Sequence, residues 1–284
     1  MTTKKFLLTC VLTLFCINLS YARWFTTDPK AQKYYATSPY AYCLNNPIKF
    51  IDPNGMEIHE SGKKEWARNK SIIQRNLGRM QQRWDKLAGN GANDSRITNL
   101  GERISSIHST LGTMENLESS SQVYALGGLD ENGLGGLRYN NSTGIITIGY
   151  NGTANFIHEV THGGQFETGD IAFALENNRT YGQDIFDEVA AYRAQYAYDP
   201  SSVSRLPSPG SVRTITDINP AWVQGIVYNG ENIYTPTGSA RTGLYPVNIN
   251  STKADLMRAY PNATLPRVSN TIPFKNIYPM HYKQ

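Results

Sequence analysis

Apolar positions change period several times along this chain, and each change marks an element. Gly144 to Tyr150 (GIITIGY) is a β-branched run that predicts a strand, and the Asn/Gly pair after it predicts a turn. Residues 184–198 (DIFDEVAAYRAQYAY) switch to helical spacing, with Ile185, Val189, Tyr192 and Tyr196 at i, i+4, i+7 and i+11. Lys63 to Leu87 and Arg96 to Leu111 carry apolar residues at mixed three and four spacing among many charges, which predicts two helices within 58–120. From Gln122 to Tyr150 the pattern is one of short strands with glycine-rich turns. Beyond Pro200 the chain is rich in Pro, Ser and Gly, with short helices expected near Asn219 to Ile226 and Thr252 to Tyr260. The order predicts an α+β fold in which a mixed sheet precedes a buried helix.

The chemistry sits just after the β-branched strand, in His158-Glu159-Val160-Thr161-His162. On a helix, an HExxH sequence places its two imidazoles about 40° apart and roughly 6 Å apart along the axis, so both reach one metal ion. Glu159 points to the neighbouring face. There it is poorly placed as a ligand and well placed as a general base toward water. The flanks Phe156, Ile157, Val160, Thr161, Gly163 and Gly164 carry no charge, as a buried turn of helix requires. The Gly163-Gly164 pair predicts an early end to that helix.

Such a site needs a third ligand. With Ile185 at 0° on the 184–198 helix, Glu188 falls at about 300° beside the apolar stripe. Asp187 falls at about 200°, toward solvent, and Arg193 at about 80°. A half-buried carboxylate with no other cation on its face suits a metal, so Glu188 is the expected third ligand. Asp170, eight residues after His162, is the alternative. The longer HExxHxxGxxH form is excluded, because Gln165 and Thr168 stand at its Gly and His positions. His59 and His108 have no companion carboxylate at ligand spacing, and His281 lies close to the C-terminus. Tyr192 and Tyr181 are candidate oxyanion stabilisers. The GLGGL segment is no phosphate loop, since it lacks the lysine and the strand-to-helix context.

The chain has 284 residues, 39% hydrophobic and 18% charged, enough for a sizeable core in one or two domains. Its N-terminus is distinct. Lys4 and Lys5 precede an apolar run from Phe6 to Ile17, and Ser20-Tyr21-Ala22 follows as a small-x-small site. Residues 1–22 therefore read as a secretory signal peptide, too short for a comfortable membrane span, and imply a secreted or periplasmic protein. A lipid anchor at Cys16 fits less well, because Phe15 precedes it. Loss of Lys4 and Lys5 lowers the formal charge from +4 to about +2, which is no nucleic-acid footprint. Cys10 and Cys16 leave with the leader, so Cys43 stands alone and an intramolecular disulfide is excluded.

Two resemblances extend this reading. Glu188-Val189-Ala190-Ala191-Tyr192 is similar to the ExxA-type second motif of gluzincin metallopeptidases. Together with HExxH, that similarity implies a zincin-like fold: mixed sheet, active-site helix, and a second helix supplying Glu188 beside His158 and His162. Zn2+ is the implied cofactor, a protein or peptide the implied substrate, and a domain over 121–284 the implied unit, with 58–120 a pro-region or upper lobe. Residues 23–57, which include Ser38-Pro39-Tyr40-Ala41-Tyr42-Cys43-Leu44-Asn45-Asn46-Pro47 and Asp52-Pro53-Asn54-Gly55, closely resemble the C-terminal end of the Rhs repeat-associated core domain of Bacteroidetes-type sequences. That family implies a polymorphic toxin with a cognate immunity protein, and an aspartate pair, here Asp28 and Asp52, that assists release of the toxin. YD repeats are absent from this sequence, and Asp28-Pro29 is not followed by glycine. Two other readings share these residues: a zinc amidase acting on cell-wall peptides, and a non-catalytic secreted effector with a structural metal site.

Overall fold

The computed structural model describes residues 58–89, 95–130, 133–177, 179–208 and 210–283. The signal-peptide and Rhs-like segments lie outside the described residues. Ile58–Gln284 forms one compact unit. It begins with two helices, α1 (Lys63–Gly89) and α2 (Ser95–Glu118), followed by three short strands, β1 (Tyr124–Gly127), β2 (Gly136–Asn140) and β3 (Ile145–Gly149). Next comes the HExxH helix α3 (Gly152–Thr168), then strands β4 (Ala172–Ala174) and β5 (Thr180–Tyr181), and helix α4 (Ile185–Tyr198). The remainder holds short helices α5 (Pro200–Ser204), α6 (Pro220–Gln224) and α7 (Lys253–Ala259), the hairpin β6 (Val227–Tyr228) and β7 (Glu231–Asn232), and strand β8 (Met280–His281). The mixed α+β class expected from periodicity is present.

The first sheet has the order β1-β3-β2, with β1 parallel and β2 antiparallel to the central β3. Its β-branched strand is the middle one: Ile146 and Ile148 are fully buried. Among the described residues no strand pairs with the outer side of β2, so β2 is an edge. A second sheet, β5-β4-β8, ties Met280 and His281 near the C-terminus back to the segment that follows α3. One main core runs through α1, α2, α3, α4 and the first sheet, including Trp66, Ile107, Met114, Leu117, Phe156 and Ile157. A smaller cluster around Ala172, Val247, Leu256 and Phe274 closes the far side.

Two expectations are corrected. The Gly163-Gly164 pair does not end α3; the helix runs on to Thr168 and stops at Gly169, whose left-handed backbone (φ 79°) caps it. The glycines serve packing instead. A Cβ at Gly163 would lie 2.9 Å from a Leu117 methyl, and one at Gly164 2.7 Å from the Thr113 methyl, so α2 approaches α3 through the space that two missing side chains leave. Asp187 does not face solvent either: it is buried, because its carboxylate accepts the Asp184 backbone N–H at 2.9 Å while Asp184 accepts from Phe186 and Asp187. This reciprocal capping box fixes the first turn of α4.

If the glycine pair exists for close approach, Gly163→Ala and Gly164→Ala each lower stability by about 1–3 kcal/mol through overpacking. Gly78→Ala, in exposed α1 with nothing near its Cβ, raises it by about 0.5–1 kcal/mol. Thermal unfolding of the three variants checks the contrast, and equal effects at 78 and 164 would refute it.

Candidate metal centre

Helix α3 is buried around most of its circumference, which is why its polar residues meet one another rather than water. The His158 and His162 Nε2 atoms lie 3.2 Å apart. Helix α4 packs alongside and brings in Glu188, only 2% exposed, with its two carboxylate oxygens 3.5 Å from His158 Nε2 and 3.6 Å from His162 Nε2. Among the described residues this is the single group of three such side chains whose ligand atoms converge, all within 4.8 Å of one another. Asp170 is not part of it; its carboxylate accepts from the Thr168 hydroxyl at 2.7 Å. Arg193 is not either, for its Nε donates to the Ile218 carbonyl.

The donor set fits a metal ion on three counts. Two donors about 2.1 Å from a tetrahedral ion lie about 3.4 Å apart, close to the three separations here. Two neutral imidazoles and one carboxylate match zinc-class divalent ions better than calcium or magnesium, which favour all-oxygen shells. Finally, Glu188 Oε2 is buried without a hydrogen-bond partner among the described residues, a costly state for a carboxylate unless a cation satisfies it.

Neighbouring groups fix the orientation of these ligands. The Gln165 amide donates to the Asp187 carbonyl at 3.0 Å, which turns its Oε1 to His162 Nδ1 at 2.7 Å. His162 Nδ1 must then carry the proton, leaving the Nε2 lone pair directed at the cluster. Gln183 Nε2 donates to Glu188 Oε1. Burial alone would raise the Glu188 carboxyl, but His162, His158 and Gln183 together hold it below the ordinary carboxylate value. The His158 ring is wedged edge-on against Tyr192, with centroids 4.5 Å apart.

Glu159 is buried beside the ligands and outside their cluster. Its Oε1 accepts from Asn155 Nδ2 at 3.1 Å, one helical turn back. Burial is the main reason its carboxyl is pushed up to about 7, with His162 opposing the rise and Glu188 adding to it. Gly135, just before β2, lets the backbone approach this carboxylate closely, since a Cβ there would lie 2.8 Å from Glu159 Oε1 and 2.8 Å from Asn155 Oδ1. A cleft of about 670 Å³ opens above the site, with Gly135, Gly136 and Leu137 on one side and Pro207, Ile233 and Tyr234 on the other. His158, Glu159, His162, Glu188 and Tyr192 all face into it.

The two candidate tyrosines separate. The Tyr192 hydroxyl is 2.7 Å from that of Tyr234, and both groups are pushed well above the ordinary tyrosine value, chiefly by burial. One hydroxyl donates to the other, and the second proton remains to donate elsewhere. Tyr181 lies instead on β5, packed against Phe274 and Tyr278, and does not line the cleft. An isolated tyrosine offers no local signal of which core it will join. Periodicity could have found Asn155 (i−4 from Glu159) and Gln165 (i+3 from His162). Gln183, Tyr234 and Gly135 come from loops, and nothing in the sequence around them marks their roles.

No known protein family, curated protein or solved structure matches this chain.

Replacing Gln165 with leucine removes the bond that fixes the His162 tautomer. Metal affinity is expected to fall about 10–100-fold, measured by competition with a chelator, and an unchanged affinity would show that Gln165 only packs.

Proposed function

We propose that this chain is an exported zinc-dependent metallopeptidase with a zincin-like fold, deployed as a polymorphic-toxin-type effector. The observation that carries the enzymatic part is the convergence of His158, His162 and Glu188 at the floor of an open cleft, with Glu159 beside them and excluded from their cluster. A purely structural metal site needs neither the cleft nor a second carboxylate, outside the ligand set, aimed into it. The order of mixed sheet, HExxH helix and second ligand-bearing helix is what the similarity to gluzincins implies. Export and the toxin setting rest on residues 1–57, with a cognate immunity protein as the implied partner.

His158 and His162, through Nε2, and Glu188, through its carboxylate, would hold the ion. Zinc in such a set supplies Lewis acidity toward a carbonyl and toward water. The chain's own residues do the rest. Glu159, buried and raised toward neutrality, takes a proton from the attacking water and delivers it to the leaving amide nitrogen. The free hydroxyl proton of the Tyr192–Tyr234 pair donates to the oxygen that develops negative charge. Edge strand β2 begins at the mouth of the cleft and suits an extended substrate, whose backbone can add to the sheet there. An extended peptide is therefore favoured over a compact small molecule.

Purified protein should hold one zinc per chain, and His158→Ala and Glu188→Ala should lose it. Glu159→Gln should retain zinc and lose about 10²–10⁴-fold in cleavage of a peptide library. Zinc retention by Glu188→Ala, or cleavage undiminished in Glu159→Gln, would sink the assignment. For the tyrosine pair, Tyr192→Phe and Tyr234→Phe are expected to lower kcat unequally. The hydroxyl that faces the oxyanion should account for a loss of about 10²–10³-fold, and two near-neutral variants would remove the pair from the mechanism.

A further inference from the structure

Helix α1 buries Trp66, Asn69, Ile73 and Met80 on one face. Elsewhere on its circumference, Lys64, Arg68, Arg75, Arg79, Arg83 and Lys86 fall within an arc of about 100°, spread over about 33 Å of helix. All six are exposed. None makes a salt bridge with another described residue, whereas Lys63 and Lys70, outside the arc, pair with Glu60 and Glu118. The two acidic side chains of the helix leave the row uncompensated. Glu65, at its edge, accepts from the Tyr150 hydroxyl, and Asp85, outside it, accepts from Gln81. Like charges at i, i+4 destabilise a helix, and the row contains Lys64/Arg68, Arg75/Arg79 and Arg79/Arg83. A helix serving only its own stability would gain by interleaving acids.

We propose that this row is a docking surface for an anionic lipid bilayer, with α1 lying flat on phosphate-bearing headgroups. A straight row about 33 Å long meets a flat charged surface with all six side chains at once. The backbone of duplex nucleic acid winds around its axis and does not follow a straight row of that length. The exposed large apolar side chains of the described residues all lie outside α1, and Trp66 is buried in the core. Within the arc the one apolar side chain, Ile72, is partly buried, so the face has no aromatic ring for base stacking and little to insert between acyl chains, and its attraction is mainly electrostatic, reversible and salt-sensitive.

Co-sedimentation of the full chain with vesicles of phosphatidylcholine alone, and of an equimolar mixture with phosphatidylglycerol, tests this. The neutral vesicles report any binding by the apolar segment at residues 6–17, so the quantity of interest is the excess on anionic vesicles. That excess should be lost at about 0.5 M salt. It should fall about 100-fold in an Arg75→Gln/Arg79→Gln/Arg83→Gln triple variant, at about fivefold per residue. The matched control Arg179→Gln/Arg205→Gln/Arg267→Gln, exposed positions elsewhere, should keep it, which separates the row from net charge. Unchanged helical circular dichroism and thermal midpoint show that the triple variant is folded. No excess on anionic vesicles, equal losses in the two triple variants, or tighter binding to a duplex oligonucleotide at the same salt would each overturn the proposal.

Discussion

A buried carboxylate faced by two imidazoles organises this molecule. Glu188 has no lysine or arginine among its bonded partners, and one of its oxygens has no hydrogen bond among the described residues. Placing an ionised group there is unfavourable unless positive charge converges on it. The two imidazoles and the Gln183 amide supply part of it, and the cluster they form with Glu188 could hold a metal ion. Because the cluster spans α3 and α4, the requirement also holds the two helices at a fixed register.

That register depends on packing around the cluster. Gly163 and Gly164 let α2 close on the back of α3, while the His and Glu side chains point to α4. The Gln165 amide then links His162 to the backbone of α4 at Asp187, next to the ligand it helps to aim. The capping box of Asp184 and Asp187 sets where α4 begins, and so which of its acidic residues turns inward. Near the C-terminus, Lys283 bonds to Glu167 at 2.7 Å, and Glu167 accepts from Tyr124 and Ser120, bracing the last turns of α3 against the sheet. Core, caps and tail thus serve the stiffness of two adjacent helical turns.

Charge is distributed unevenly. A formal net charge of +4 describes a nearly neutral protein, yet α1 alone exposes a row of six cations. The buried centre and its surroundings are acidic, through Glu159, Glu188, Asp184 and Asp187. An average over the chain therefore says little about what either face attracts.

The five residues of HExxH were legible because two histidines four apart on a helix are neighbours by local geometry, whatever the rest of the chain does. Glu188 was legible for a related reason: its place beside an apolar stripe fixed its direction on α4, and burial of a carboxylate demands a counter-charge. Strand β3, both long helices and the α+β class followed from period alone. The same reasoning failed for Asp187, where a reciprocal cap outweighed helical phase, and for Gly163-Gly164, where helix contact outweighed propensity. It also failed for Tyr181, whose neighbours are distant in sequence. Sequence determined the identity and spacing of the groups that can hold a metal, because those are set within one or two helical turns. Tertiary structure decided how the helices meet, that Tyr234, Gln183 and Gly135 complete the site, and that a cleft opens above Glu159. Those outcomes depend on contacts between segments tens of residues apart, which no local pattern encodes.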